Sequence, residues 1–222
     1  GTLTEVTTYP DGDVVTVKTE KDGTFTAEVK ANSKKDVILP IDSTEDIIVV
    51  SFTDENGRTR YTDEFTESDE GIAVTANGNV KISVIQSERA LYTDVHNNNH
   101  WAAKSVDFVG ALGIMKGIGD DKFAPDSHLT RAMLVTMLYR ADGEPEVETV
   151  NSFGDIKENA WYEKAVLWAK ENGIVNGVTE TEFSPDSDIT REQIATIMHR
   201  YAKYKGDDVE SGKNTNIIYY ND

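Results

Sequence analysis

The sequence predicts a multi-domain α+β protein in which an all-β, sandwich-like domain precedes tandem all-α helical modules. Three observations support this fold class. Residues 1–90 are rich in Thr, Val and Ile and alternate between apolar and polar positions, as half-buried strands do. From Leu91 onward the apolar residues recur at helical spacing. That second stretch also contains an internal repeat, and 222 residues suffice for two domains with separate cores.

The first 90 residues predict antiparallel strands joined by tight turns. Alternation is clearest over 13–19, 23–29 and 78–84, and turn signals such as Asp11-Gly12 and Asp22-Gly23 stand between such segments. A strand every ~10–12 residues is typical of a small sandwich or barrel. We therefore expect a sandwich-like domain over residues 1–90.

The helical part is a duplication displaced by 60 residues, from Trp101 to Trp161. The alignment needs no gap between the helix that each Trp opens and the Thr-Arg pair that follows. Further matched positions are Lys104 with Lys164, Gly113 with Gly173, Gly117 with Gly177, Phe123 with Phe183, Pro125 with Pro185 and Arg131 with Arg191. Each copy is therefore one structural module.

Two helices are predicted in each copy. Asn99 and Asn159 are the predicted N-caps of the first helix. Gly113 and Gly173 stand where a left-handed residue ends a helix. The second helix is predicted to begin after the N-caps Thr130 and Thr190. In the second copy Gln193 completes a capping box, whereas Met133 offers no such group in the first.

Module boundaries are indicated by an aromatic-x-Asp element ahead of each first helix, Tyr92-Thr93-Asp94 and Phe153-Gly154-Asp155. The same element recurs at Tyr220-Asn221-Asp222. We therefore expect a third module that continues in a longer parent protein. The predicted domains are a β domain over 1–90, module 1 over 91–145, module 2 over 146–205, and a linker with the start of module 3 over 206–222.

Composition excludes several classes of function. Forty Asp and Glu against 22 Lys and Arg give a formal charge of -18, which argues against nucleic acid as a partner. The absence of cysteine removes disulfides and thiolate chemistry. No apolar run reaches the ~18 residues of a membrane span, and no signal peptide is visible in this chain.

The repeat resembles the S-layer homology (SLH) module. The resemblance rests on the aromatic-x-Asp element, the Trp-led helix, Gly-Ile-x-x-Gly, Phe-x-Pro-Asp and Thr-Arg, in this order over about residues 91 to 203. It implies modules that pack in threes, so that two of them form a partial pseudo-threefold bundle. It also implies an extracellular protein of the cell wall or surface layer of a Gram-positive type of bacterium, anchored by secondary cell-wall polysaccharide that often carries a pyruvylated sugar.

The resemblance further implies which residues bind that polysaccharide. The family's Thr-Arg-Ala-Glu signature falls on 130–133 and 190–193, and both copies lack the final Glu. A guanidinium in the first turn of a helix suits the anionic ketal of the ligand. The implied residues are Arg131 and Arg191 for the carboxylate, Trp101 and Trp161 for a sugar face, Asp94 and Asp155 for hydroxyls, and Gly117 and Gly177 for close backbone approach.

Each assignment has a structural alternative that the sequence leaves open. The structural alternatives are core positions for the tryptophans, caps of a turn or helix for the aspartates, and surface salt bridges for the arginines. The glycines are consistent with positive φ alone. His96 and His100 stand four residues apart, but we expect a surface loop there and no metal site.

The function predicted from these observations is non-catalytic: a wall-anchoring fragment of a secreted or surface-layer protein, with the β domain as a spacer or interaction domain. No enzyme motif, metal site or cofactor site is found. The alternative is a protein-protein assembly fragment that mediates lattice or oligomer contacts. Because an incomplete bundle exposes an apolar face, we also expect a homo-oligomer.

Overall fold

The computed structural model describes residues 2–21, 24–41, 47–97, 99–207 and 209. Over these residues the chain forms nine β-strands and four α-helices. They cluster into two compact units, Gly1–Ala124 and Pro125–Asp222. The predicted Asp22-Gly23 turn and the predicted start of a third module at 220–222 lie outside the described residues.

The first unit contains two antiparallel sheets. The larger has six strands in the order β1-β2-β3-β9-β5-β6, and the smaller has three in the order β4-β8-β7. The strands are β1 (Leu3–Thr8), β2 (Val14–Thr19), β3 (Phe25–Lys30), β4 (Lys34–Leu39), β5 (Ile47–Asp54), β6 (Thr59–Thr62), β7 (Thr66–Ser68), β8 (Gly71–Asn77) and β9 (Val80–Ser87).

Alternation along these strands builds the core of the first unit. In β3 the side chains of Ala27 and Val29 are buried while their neighbours are exposed. In β4 the same pattern buries Val37 and Leu39, and Leu39 lies opposite Ile72 of β8. Because successive side chains point to opposite faces of a sheet, one face of each sheet supplies the apolar cluster. The sandwich-like start of the chain is thus partly what the pattern predicted.

A charged cluster occupies an inward-facing position of β4. Lys35 is 9% exposed, and its Nζ lies 2.8 Å from Asp11 Oδ2 and 2.9 Å from Asp13 Oδ2. Asp13 also accepts a hydrogen bond from the Asn32 amide at 2.9 Å. That backbone hydrogen bond, followed by the one from Lys35, lowers the pKa of Asp13 to about 2. The pairing explains how a lysine is accommodated at a buried position.

Helix α1 (Ala103–Ala111) belongs to the same unit as the sheets and packs against β5 and β9. Val106 is its buried residue. The helix ends in a Schellman motif, because the Gly113 amide donates to Gly110 O and the Ile114 amide to Val109 O.

The second unit contains α2 (Arg131–Ala141), α3 (Glu163–Glu171) and α4 (Arg191–Tyr204) around one apolar cluster. Trp168 of α3 is 1% exposed, and its ring centroid lies 5.5 Å from that of Tyr139 in α2. Phe183, from the loop between α3 and α4, is fully buried in the same cluster. That loop is therefore part of the core.

The helix ends confirm some sequence predictions and correct others. The capping box of Thr190 and Gln193 is present, and Thr130 accepts from the Met133 amide without a reciprocal bond. Gly113 and Gly173 have positive φ, as predicted.

The predicted N-caps Asn99 and Asn159 are wrong. The N-caps of α1 and α3 are Ala102 and Tyr162, and neither makes a side-chain capping hydrogen bond. Both asparagines instead adopt left-handed turn conformations, with φ of 47° and 61°. Asparagine tolerates that region better than most residues, which explains its recurrence at this position.

The predicted fold class is also wrong, because the repeat region is not an all-α bundle set apart from a β domain. Helix α1 packs on strands of the first unit, and loops as well as helices build the repeats. Isolated β-bridges join Gly119 to Lys122 and Thr130 to Asp188. Helical periodicity marks amphipathic segments but carries no information on these long loops, whose backbone groups are held by side chains. The domain boundaries given above stay predictions.

Candidate functional site

An aspartate holds the loop of each repeat by accepting hydrogen bonds from successive backbone amides. Asp155 accepts from the Phe183 amide at 2.9 Å and the Ser184 amide at 2.6 Å. Asp94 accepts in the same way from Phe123 at 3.0 Å and Ala124 at 2.8 Å. The bond from the Phe123 amide is the largest cause of the lowered pKa of Asp94. The two predicted ligand carboxylates therefore fix the loop geometry.

Gly117 and Gly177 lie where the loop of each repeat packs against the aromatic residue ahead of that repeat, Tyr92 or Phe153. A Cβ on Gly177 would come closer than 3.0 Å to the carbonyl oxygens of Thr179 and Glu182. A Cβ on Gly117 would collide with Tyr92 and with the Lys122 carbonyl. Neither glycine is among the residues with positive φ. Close packing, and not backbone conformation, is why these positions hold glycine.

Arg131 begins α2 and reaches into the loop of the other repeat. Its Nε donates to Phe183 O at 2.9 Å and its Nη2 to Asn176 O at 3.1 Å. The guanidinium carbon lies 4.7 Å from the centre of the Phe183 ring. Arg131 is 6% exposed, and this burial lowers the pKa of the guanidinium, while the charge of Asp155 acts in the opposite direction. An arginine remains charged in such a setting, so the loop holds a fixed cation.

The held guanidinium lines an open groove of about 550 Å³ in the second unit. One wall is the loop after α3, and the other is a face of α4 with residues at helical i, i+3, i+4 and i+7 spacing. The lining residues are Arg131, Val175, Asn176, Gly177, Val178, Glu192, Gln193, Thr196, Ile197 and Arg200. We call this the Arg131 groove.

The chemistry of the Arg131 groove suits a ligand that is anionic and rich in hydroxyl groups. Its lining includes two guanidinium groups, from Arg131 and Arg200, and one carboxylate, from Glu192, so the charged side chains sum to a net positive charge. Gln193 and Thr196 add polar side chains. Two of the five N–H donors of Arg131 are used by backbone carbonyls. Within the described residues the other three make no hydrogen bond, so they remain for a carboxylate.

The structure brings together only part of the predicted ligand set. Arg131 and Gly177 line the groove, and Asp155 supports the loop behind it. The predicted residues that are not among its lining residues are Arg191, Trp101, Trp161, Asp94 and Gly117. Trp101 is 89% exposed and Trp161 is 58% exposed, so neither tryptophan is a core residue.

Sequence reasoning missed Asn176, Gln193, Thr196 and Arg200. Asn176 contributes its carbonyl oxygen to Arg131, a role that its side chain does not signal. The other three share a face of α4 through their spacing of three and four residues. That spacing is visible in the sequence and could have drawn attention to the polar stripe.

The histidine pair has ordinary polar partners. His96 Nε2 lies 2.8 Å from Asp107 Oδ1, and Arg89 Nε lies 3.1 Å from Asp107 Oδ2. His100 Nδ1 accepts from the Ala102 amide. Over the described residues no group of three or more His, Asp or Glu side chains is placed to bind a metal ion.

Comparison with known families assigns the repeats. The family model of the S-layer homology domain matches residues 91–132 and 152–195. Two segments of the chain are thus similar to the S-layer homology domain. The first match ends just past Arg131, and the second includes the loop after α3 and the start of α4 as far as residue 195. The groove residues Thr196, Ile197 and Arg200 lie beyond the second match. The match indicates a protein of the cell surface or cell wall.

Curated relatives share the SLH region. The Surface-layer 125 kDa protein of Lysinibacillus sphaericus is 33% identical over 109 residues, which are 49% of this chain and 9% of that protein. The Middle cell wall protein of Brevibacillus brevis is 28% identical over 106 residues, 46% of this chain and 10% of that protein. Exoglucanase XynX of Acetivibrio thermocellus is 27% identical over 120 residues, 54% of this chain and 11% of that enzyme.

The aligned part of this chain thus spans about a tenth of each of these proteins. Among the residues that the structure describes, no helix combines the length and the apolar character needed to cross a bilayer.

Proposed function

We propose that the Arg131 groove binds secondary cell-wall polysaccharide, with a pyruvylated sugar as the charged group, and so retains the protein at the extracellular face of a Gram-positive type of cell wall. The observation that carries this proposal is the buried, pre-positioned guanidinium of Arg131 with donors to spare in an open polar groove. The SLH match and the surface-layer and cell-wall names of the relatives support the same role.

Carboxylate recognition follows from the geometry of Arg131. Because Phe183 O and Asn176 O fix the guanidinium plane, binding costs little side-chain entropy. The remaining N–H groups form a fork that matches a carboxylate. Burial strengthens the interaction, since it excludes part of the solvent that would screen it. In a chain of net charge -18, a fixed local cation is also what allows an anion to approach.

Sugar recognition is assigned to the α4 wall. The Gln193 side-chain oxygen accepts from the Thr190 amide, which leaves its NH₂ group as a donor to sugar hydroxyls. The Thr196 hydroxyl donates to Glu192 O, which leaves its oxygen as an acceptor. Arg200 supplies a second cation. Val178, which is 50% exposed, adds apolar surface for a ring face. Because the groove is open, it accepts an internal residue of a polymer as well as its end.

The other predicted ligand residues are proposed as outlying contacts. Trp101 and Trp161 expose aromatic faces of the kind that stack on sugars, and Arg191 presents an exposed guanidinium at the start of α4. Asp94 and Gly117 are proposed to shape the first loop as Asp155 and Gly177 shape the second. We propose no catalytic role for this chain, and the enzymatic names of some relatives refer to those proteins alone.

A pull-down on purified sacculi, with and without their secondary polysaccharide, tests the proposal. Arg131→Lys keeps the charge and removes the fork, and we expect binding weaker by about tenfold or more. Arg58→Lys, an exposed arginine of the first unit, is the matched control and should bind as the native chain does. Arg200→Ala tests whether the α4 wall of the groove contributes to binding, and Arg191→Ala tests whether the arginine outside the groove does.

The result that contradicts the proposal is binding that survives removal of the polysaccharide or that Arg131→Lys leaves unchanged. Retention that depends instead on another wall protein would favour the alternative function, assembly through protein contacts. The exposed Arg191, whose counterpart Arg131 is engaged within the chain, is the observation on which that alternative depends.

A further inference from the structure

The loop after α3 contains an asparagine-glycine pair, Asn176-Gly177, whose peptide bond is contacted by the guanidinium of Arg131. Arg131 Nη2 donates to Asn176 O at 3.1 Å, and its Nε is held by Phe183 O at 2.9 Å. The cation is therefore fixed on the carbonyl oxygen of the peptide that joins Asn176 to Gly177. Asn176 is exposed and both residues line the Arg131 groove, so the pair is in contact with solvent.

An asparagine followed by glycine can modify itself, because its side chain lies within reach of the next backbone nitrogen. That nitrogen attacks the side-chain carbon Cγ. The new N–Cγ bond closes a five-membered imide ring, and the Cγ–Nδ2 bond breaks. The amide proton passes through water to the departing nitrogen, which leaves as ammonia. Glycine favours the attack, since no Cβ obstructs its nitrogen.

The reaction begins when the Gly177 amide loses its proton, and Arg131 contacts the atom that then carries the charge. An amide anion is delocalised, so its negative charge is shared with the carbonyl oxygen of the same peptide, here Asn176 O. A positioned cationic N–H donor stabilises such an oxyanion, and does so more strongly where solvent is partly excluded. Arg131 is 6% exposed, which meets that condition. The contact therefore makes the Gly177 nitrogen a better nucleophile.

The two repeats differ in the aromatic residue that lies against this glycine. In the first repeat the Gly117 amide donates to the Tyr92 hydroxyl at 2.9 Å. In the second repeat Phe153 takes the place of Tyr92, since a Cβ on either glycine would collide with the ring carbon Cε1 of its aromatic residue. Phenylalanine has no hydroxyl and offers the Gly177 amide no acceptor. An amide that donates a hydrogen bond must break it before it reacts, and Phe153 does not provide this protection.

A second asparagine-glycine pair in the same unit, Asn172-Gly173, serves as an internal reference. Asn172 Nδ2 donates to Trp168 O at 2.9 Å, and the Gly173 amide donates to Lys170 O at 3.1 Å. Both reacting groups of this pair are thus engaged at the end of α3. We expect it to react more slowly than Asn176-Gly177 for that reason.

We propose that Asn176 is a site of intramolecular deamidation, in which Arg131 promotes attack of the Gly177 nitrogen on the Asn176 side chain. Water then opens the imide ring. Cleavage of the bond from the nitrogen to Cγ gives aspartate, and cleavage of its bond to the backbone carbonyl carbon gives isoaspartate.

Either product adds a carboxylate to the groove lining. This carboxylate offsets the net positive charge that Arg131, Arg200 and Glu192 give the lining. The reaction therefore weakens the binding of an anion in the groove as the protein ages, a consequence that rests on the proposed function.

Incubation of the purified chain at mildly alkaline pH, followed by proteolysis and mass spectrometry, measures conversion at each pair. In the native chain Asn176 should convert about 10-fold faster than Asn172, or more. Phe153→Tyr supplies the hydroxyl that Tyr92 supplies in the first repeat, and should slow conversion at Asn176 about 3- to 10-fold.

Arg131→Gln removes the cation and should slow conversion at Asn176 by about 10-fold or more. Arg58→Gln removes an exposed arginine of the first unit and should leave the rate unchanged. Circular dichroism shows whether each variant is folded, because unfolding exposes every asparagine-glycine pair. If Arg131→Gln does not fold, the conservative change Phe153→Tyr decides.

Two substitutions of Asn176 itself complete the test. Asn176→Gln cannot close the five-membered ring and should keep its side-chain amide over the same period. Asn176→Asp carries the charge of the product, and should bind sacculi about 3-fold more weakly than the native chain, or weaker still. Native-strength binding by Asn176→Asp would overturn the consequence for the groove.

The proposal is overturned if Asn176 converts no faster than Asn172, or if folded Phe153→Tyr and Arg131→Gln convert at the native rate. These rates are measured without polysaccharide. Failure of the native chain to bind sacculi would therefore contradict the anchoring proposal alone.

Discussion

Removal of the Asp155 carboxylate is the perturbation whose effect follows most directly from the structure. Asp155 accepts hydrogen bonds from the amides of Phe183 and Ser184. Phe183 is fully buried, so in Asp155→Ala its amide loses its partner and gains no water. Leaving a buried donor unpaired costs about 1–3 kcal/mol, and the partly exposed Ser184 amide adds a contribution at the lower end of that range. We expect a loss of about 2–4 kcal/mol in the free energy of unfolding.

That loss is a large fraction of the ~5–15 kcal/mol by which domains are stable. With a urea dependence near 2 kcal/mol per molar, the unfolding midpoint should fall by about 1–2 M. The fluorescence of Trp168, which is 1% exposed, reports on unfolding of the second unit. Asp155→Asn keeps one acceptor oxygen but turns an amide toward the other donor, so we expect it to retain only part of the lost stability.

Asp186→Ala is the matched control, since it removes the same charge from an exposed position of the same unit. Its effect should stay within about 0.5 kcal/mol. A change below about 1 kcal/mol in Asp155→Ala would refute the reasoning, because it would show that the two amides do not depend on this carboxylate.

Three further predictions concern other parts of the chain. Thr190→Ala removes the N-cap of α4 and should lower the free energy of unfolding by about 1 kcal/mol in the same urea assay. Thr130→Ala should have a similar effect through α2. If the two variants unfold at the same urea concentration as the native chain, the capping geometry is contradicted. Gly177→Ala should lower the free energy of unfolding by about 1–3 kcal/mol and weaken binding to sacculi, because the new Cβ collides with loop carbonyls that shape the groove. Native-like stability and binding of this variant would contradict the prediction. The pKa of Asp13 is lowered to about 2, and that of Asp94 is also lowered. Both carboxylates therefore stabilise the fold above about pH 4, and this stabilisation is lost as the pH falls toward 2. The thermal midpoint of the first unit, followed by circular dichroism, should fall over that range and fall less in Asp13→Asn, and equal slopes for both chains would disprove the assignment.

Local features of the repeats could be predicted from the sequence because they depend on neighbours along the chain. The capping box at Thr190 and the helix-ending glycines Gly113 and Gly173 follow from hydrogen bonds within a few residues. The same holds for the alternation of β3 and β4. Asn99 and Asn159 show the limit of such reasoning, since a residue type that favours N-caps also favours left-handed turns.

The candidate site could be predicted only in part. Repetition and family resemblance identified Arg131 and Gly177, both of which line the groove. Asn176 could not be found, because it takes part through a backbone carbonyl that every residue possesses. Arg200 was missed for a different reason, since one cation on an amphipathic helix is unremarkable until the opposite wall of the groove is known.

The sequence by itself determined the duplication, the N-caps Thr130 and Thr190 and the similarity of the repeats to the SLH domain, because periodicity, capping and motif spacing are local properties. Only the tertiary structure decided that α1 packs on strands and that Arg131 is buried while Arg191 is exposed. The two arginines follow the same Thr N-cap in the same helical position. Arg131 is buried because it contacts the carbonyl oxygens of Asn176 and Phe183, which belong to the other repeat and lie more than 40 positions away in the sequence.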